Sequence, residues 1–106
     1  MFFLMKCLNR PGQNAAREAH RDAHRAWVRS GGDGLAVVLI GSALQDENGD
    51  GIGNFGVLEV PDAESARAFA EGDPFHRAGI VETIELTRLP DGFQAHRIAE
   101  PLTARK

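Results

Sequence analysis

The sequence predicts an α+β sandwich whose elements run strand, helix, strand, strand, helix, strand. Three observations carry this. Phe2–Leu8 and Leu35–Ile40 are apolar runs of strand length, and Asn54–Val60 and Ile80–Leu89 are mixed runs bounded by turn residues. Two stretches, from Asn14 to about Ser30 and from Ala63 to Glu71, repeat small apolar residues at helical spacing. Gly, Pro, Asn and Asp clusters separate every pair of elements. This order is the split βαβ pattern of a ferredoxin-like sandwich, an antiparallel sheet with both helices on one face.

The first strand puts Phe3, Met5 and Cys7 on one side and Phe2, Leu4 and Leu8 on the other, with Lys6. Both faces are mostly apolar, where a strand with one wet face alternates more cleanly. Asn9-Arg10-Pro11-Gly12 turns the chain, and Gln13 or Asn14 opens the first helix. Ala16, Ala19, Ala23, Ala26 and Trp27 form its apolar stripe, and Arg21, Arg25 and Arg29 fall on the solvent side. At roughly 100° per residue, His20 projects about 20° from Trp27, and His24 about 40° further towards water. Gly31-Gly32-Asp33-Gly34 ends the helix. The second strand, Leu35–Leu44, again reads as buried on both faces. Asp46–Gly53 holds Asn-Gly and Asp-Gly, the dipeptides of a hairpin. After the third strand, Pro61 stops the chain and Asp62 caps the second helix. Asp73-Pro74 then starts a short helical turn and Gly79 ends it, before the last strand. The helix-free face needs a cover, and a second copy set sheet against sheet is the simplest one.

The 106 residues fit one domain, taken as 1–92, followed by a tail over 93–106 in which Phe93, Ala95 and Ile98 dock and the end is loose. A net charge of −3 gives no reason to bind nucleic acid or an anionic membrane. The apolar N-terminus is too short to span a bilayer, and no small-residue cleavage site follows it. One cysteine, Cys7, excludes an intrachain disulfide and fits a reducing, cytoplasmic setting. Its place in an apolar strand makes it core rather than nucleophile.

Three groups of residues together resemble the YCII-related (YciI-like) family. They are Asp73-Pro74-Phe75 with Ala78-Gly79 and the Glu-rich strand after it, Arg17 with His20 on the first helix, and Ile40-Gly41-Ser42-Ala43-Leu44 before Asp46 and Gly49. The resemblance covers about residues 2–89. It implies a dimeric α/β-barrel form of the ferredoxin-like fold and a His–Asp pair as active site, which by position falls on His20 and Asp73. A related enzyme eliminates chloride from a chlorinated aromatic ring, and the wider fold includes lactone isomerases and monooxygenases that use no metal. Ser42 stands where the family has Pro, and His24, with arginines around it, is additional.

A carboxylate bonded to one imidazole nitrogen fixes the tautomer, and the other nitrogen can then move a proton. Read alone, Asp73 is also a helix cap and His20 a half-buried helix residue. His20 and His24 stand at i, i+4 as metal-binding histidines often do, but Arg21 replaces the protease Glu and only His76 offers a third ligand. No metal is expected. Asp46-Glu47-Asn48-Gly49-Asp50-Gly51 imitates the start of a calcium loop, but its twelfth position is Val57 and strands flank it. Gly51-Ile52-Gly53-Asn54-Phe55-Gly56 matches a dinucleotide fingerprint but leads into a strand, not a helix. The expectation is a cofactor-free enzyme of lyase, isomerase or dehalogenase type, acting on a small, cyclic or aromatic molecule. His20 is its acid/base and Asp73 orients it. Arg17, Trp27, Phe75 and Ser42 form the substrate pocket. The alternative is a non-catalytic ligand-binding or interaction module using the same cleft. Turnover lost on His20→Ala separates the two.

Overall fold

The computed structural model describes residues 1–105; Lys106, the end of the expected tail, lies outside the described residues. Strands β1 (Phe2–Asn9), β2 (Val37–Gln45), β3 (Gly51–Glu59) and β4 (Val81–Leu89) alternate with helices α1 (Asn14–Gly34), α2 (Ala63–Gly72) and the single turn α3 (Pro74–Arg77). The sheet order is β2-β3-β1-β4, and every neighbouring pair is antiparallel. The βαββαβ sandwich therefore stands as predicted.

The termini of the elements follow from local chemistry. The right-handed part of α1 ends where Gly31, Gly32 and Asp33 turn left-handed, with φ of 64°, 65° and 57°. Asp62 caps α2 by accepting from the Ser65 N–H at 2.8 Å, which holds its carboxyl below the usual range. Strand β3 begins at Gly51, three residues before the expected Asn54. The reason is a tight turn in which the Asp46 carboxylate accepts from the N–H groups of Asn48 and Asp50. The acidic glycine-rich stretch is thus a hairpin, and its glycines run on into a paired strand.

The helices cover one face of the sheet. Phe3, Met5 and Cys7 of β1, Val38 of β2 and Leu58 of β3 pack there against Ala66, Phe69 and Ala70 of α2 and Phe75 of α3. The other face departs from the sequence reading. On β1, buried and exposed residues alternate strictly from Phe3 to Cys7, so Leu4 and Lys6 are open to solvent in the single chain. Part of this face is closed by the chain itself. After β4, Phe93, Ala95 and Ile98 cross it and pack with Phe2, Val37, Leu39, Val57 and Leu89.

Over its described residues the tail is anchored at Thr103 rather than loose. Thr103 donates its N–H to the Val38 carbonyl and its hydroxyl to the Val28 carbonyl, and accepts from the Val38 N–H. These bonds satisfy backbone groups that the edge strand β2 would otherwise expose.

The first helix is turned from the expected orientation. Ala19, Ala23 and Ala26 are exposed, whereas Ala16, Arg17, His20, His24, Trp27 and Val28 are half-buried. At roughly 100° per residue, the inward arc centres near His24, about 100° round the axis from Ala23. An alanine contributes little apolar area, so Trp27 and Val28 dominate the docking.

Candidate functional site

Trp27 sets the register of the two long helices. Its indole N–H donates to the Phe69 carbonyl at 3.1 Å, and its ring stacks near that of Phe69. Gly72 admits the same indole: a Cβ there would lie 2.6 Å from its ring. One turn back along α1 from Trp27 comes His24, and one turn on from Phe69 comes Asp73. The two therefore meet.

The His24 Nδ1 lies 2.7 Å from Oδ2 of Asp73 and 3.0 Å from Oδ1. Both side chains are largely buried, with 16% and 12% of their surface exposed. The Phe75 N–H donates to Asp73 Oδ1 at 2.8 Å, so the carboxylate is helix cap and histidine partner at once. The Phe75 ring stacks on the imidazole, 4.2 Å between centroids and 12° from parallel. Tautomer, position and ring plane of His24 are all fixed by neighbours.

His20 is not the partner of Asp73. It sits one turn further along α1, about 6 Å by the helical rise, and forms no side-chain hydrogen bond among the described residues. The expected pair is corrected to His24–Asp73. The outward, solvated His24 of the sequence reading gives way to a buried one because the helix is turned towards the sheet by Trp27.

A cavity of about 570 Å³ lies between α1 and the sheet, within the ~300–1,000 Å³ range of small-molecule sites. His24, Asp73 and Phe75 stand on its wall with Met5, Cys7 and Asn54, and Leu102 stands with Val38 and Gly41 of β2. Of the residues expected in a pocket, Arg17, Phe75 and Ser42 line it; Trp27 does not, being occupied with Phe69. The Ser42 hydroxyl donates to the Ala43 carbonyl. Arg21, Arg25 and Arg29, read from the sequence as solvent-facing, also line the cavity.

Arg17 is held firmly. Its Nη2 donates to Asn54 Oδ1 at 2.9 Å, and its guanidinium lies 5.3 Å from the Phe75 ring centroid. Its Nη1 is buried without a hydrogen-bond partner, under Gly51, where a Cβ would approach to 2.6 Å. Burial pulls its pKa down, the nearby Arg21 adds to that, and Asp73 opposes it. Cys7 shares this environment: burial first, then the Asp73 charge, pushes its thiol up to about 11, against a smaller opposing effect of Arg67. Among the described residues no group of three or more His, Cys, Asp or Glu could hold a metal ion. No helix there is long and apolar enough to cross a membrane.

The YCII-related domain matches residues 1–90. The chain belongs to the YCII-related domain family. No curated protein matches it. Among solved structures it is similar to 5-chloro-2-hydroxyhydroquinone dehydrochlorinase (TftG) from Burkholderia phenoliruptrix AC1100, determined in complex with 2,5-dihydroxybenzoquinone. That similarity has a TM-score of 0.74 and 25% identity, over 87% of this chain and 96% of the other. A structure from Chloroflexus aurantiacus J-10-fl, provisionally assigned as an antibiotic biosynthesis monooxygenase, aligns with a TM-score of 0.43 and 22% identity over 89% of this chain and 97% of that one. The YCII-related family and the first likeness agree with the dimeric α+β-barrel class of the fold.

Proposed function

We propose that the chain is an acid–base enzyme that moves a proton on a small ring-shaped molecule, in a lyase, isomerase or dehalogenating reaction. One observation carries the reading: an imidazole clamped by a buried carboxylate on the wall of a ligand-sized cavity. With Nδ1 given to Asp73, Nε2 is the nitrogen left to take or return a proton. Asp73 positions the ring and balances the imidazolium when it forms. Arg17 holds an anionic group, such as a ring oxygen bearing negative charge. Phe75 supports the imidazole, and Ser42 borders the pocket. The chemistry of these side chains calls for no further group. The likeness to a dehydrochlorinase supports elimination on a hydroxylated ring. The dimer, and the cytoplasmic setting favoured by one free thiol, belong to the same proposal.

The test is chloride release from 5-chloro-2-hydroxyhydroquinone and isomerisation of related hydroxyquinones. His24→Gln is expected to lower turnover by about 10²–10⁴-fold, the usual worth of a general acid or base, and His20→Gln to leave it nearly intact. Equal loss in both variants overturns the assignment to His24. Tight binding of such rings with no turnover favours the non-catalytic ligand-binding module.

A further inference from the structure

The matched domain ends at residue 90, yet the cavity does not. Leu102 belongs to its lining, twelve residues and a crossing of the sheet later. That crossing begins at β4, one edge of the sheet, and ends at β2, the other. Thr103 is fixed to Val38 and Val28 by three hydrogen bonds, so the backbone next to Leu102 joins α1 to the edge of β2. The Leu102 Cδ1 lies 3.5 Å from the point where a Cβ on Gly41 would stand, so the leucine rests on a strand position without a side chain. His24 and Asp73 close the other side of the cavity, over β1 and α3.

We infer that Leu102 is a specificity-determining residue: it bounds the cavity at the β2 edge and limits how far a bound ring can extend towards that edge. The inference rests on reading the cavity as a ligand site. The domain supplies the acid and base, and the added tail supplies the limit on ligand size. A leucine fits that task because it offers apolar contact to a ring and no hydrogen bond to a substituent.

Cys7 provides a reporter that needs no knowledge of the substrate. It is the one cysteine in the chain, and it lines the cavity on β1, two strands in from β2. Labelling of the intact protein by N-ethylmaleimide is expected to be several-fold faster in Leu102→Ala and several-fold slower in Leu102→Trp. Labelling at the wild-type rate in both variants overturns the inference. If Leu102→Ala melts early, Leu102→Trp decides, because a larger residue slows labelling only where it guards the way in. A second readout is the binding of 2,5-dihydroxybenzoquinone against that of a hydroxynaphthoquinone. Leu102→Ala should raise the affinity for the fused ring several-fold over that for the single ring, and an unchanged ratio counts against Leu102. Failure of both rings to bind any variant counts against the proposed function, and the Cys7 rates then decide on Leu102.

Discussion

Asp73 has two tasks, and a single substitution separates them. Its Oδ1 caps α3 through the Phe75 N–H, and both oxygens hold His24. Asparagine is also a good cap, so Asp73→Asn should keep the start of α3 to within about 1 kcal/mol, and any larger loss of stability belongs to the altered His24 contact. It removes the negative charge and offers an amide that can present a donor to Nδ1. ¹⁵N NMR of His24 should therefore show the Nδ1–H tautomer as dominant in the wild type and depleted in the variant. Turnover should fall by about 10²–10⁴-fold, as when a histidine base loses its orienting carboxylate. An unchanged tautomer ratio would show that Asp73 does not set the ring. The histidine itself was harder to read from the sequence, for a physical reason. Arg17-Glu18-Ala19-His20 and Arg21-Asp22-Ala23-His24 repeat the same pattern one turn apart. Either histidine satisfies the spacing, and only the seating of Trp27 on Phe69 chooses between them. Cys7 offers a second test at this scale. Its thiol is raised from an ordinary 9.0 to about 11 by burial, so between those values the unfolded chain has lost a proton that the folded chain keeps. Stability is then fully present below about pH 9 and falls towards pH 11, by at most about 1.4 kcal/mol per pH unit. The chain has no tyrosine to add a competing titration. Urea denaturation across this window should show a steeper decline for the wild type than for Cys7→Ala; parallel declines would mean that the thiol is not shielded.

The elements themselves were legible, and their facing was not. Caps, glycines and prolines mark the ends of α2, α3 and β4 to within a residue or two, because these signals act locally. The rotation of α1 depends instead on what it docks against. Its inward arc carries Arg17, His20 and His24 beside Trp27 and Val28, and a polar arc facing a sheet borders a cavity rather than a close-packed core. The sequence holds that signal in the regular spacing of Arg17, Arg21, His24 and Val28, but the alanines hide it by offering a second stripe. Two substitutions test the observed rotation together. Ala23→Gln lies on the exposed face and should stay within about 0.5 kcal/mol of the wild type in urea denaturation. Gly72→Ala would push a methyl group into the Trp27 indole and should cost about 1–3 kcal/mol. A large loss in Ala23→Gln with a neutral Gly72→Ala would restore the alanine-stripe orientation.

At the scale of the molecule, the helix-free face is only partly covered by the chain itself. The apolar outer residues of β1 pointed to a second copy, and the structure narrows the place where it can sit. The tail already occupies the end of the sheet around Phe2, Val37, Val57 and Leu89, a cover that weak patterning after Phe93 left only partly visible in the sequence. What remains open holds Leu4 and Ile40, exposed by 37% and 42%, with the half-buried Leu8, Leu44 and Phe55 on the same face. Lys6, between Leu4 and Leu8 on β1, faces Phe55 of β3 on one side and Glu85 of β4 on the other, so the patch carries a charged pair along its β4 side. An apolar centre with a charged rim is the composition of a subunit interface. A two-fold pairing would bring each patch against its own copy. Light scattering at micromolar concentration should therefore give about twice the 11.5 kDa chain mass. Ile40→Glu would place like charges near the pairing axis and should return the mass to that of one chain, with the fold and the His24–Asp73 contact intact because both lie across the sheet. A wild type that scatters as a single chain would leave the patch without a second copy, and an Ile40→Glu variant that remains double would move the interface to another face.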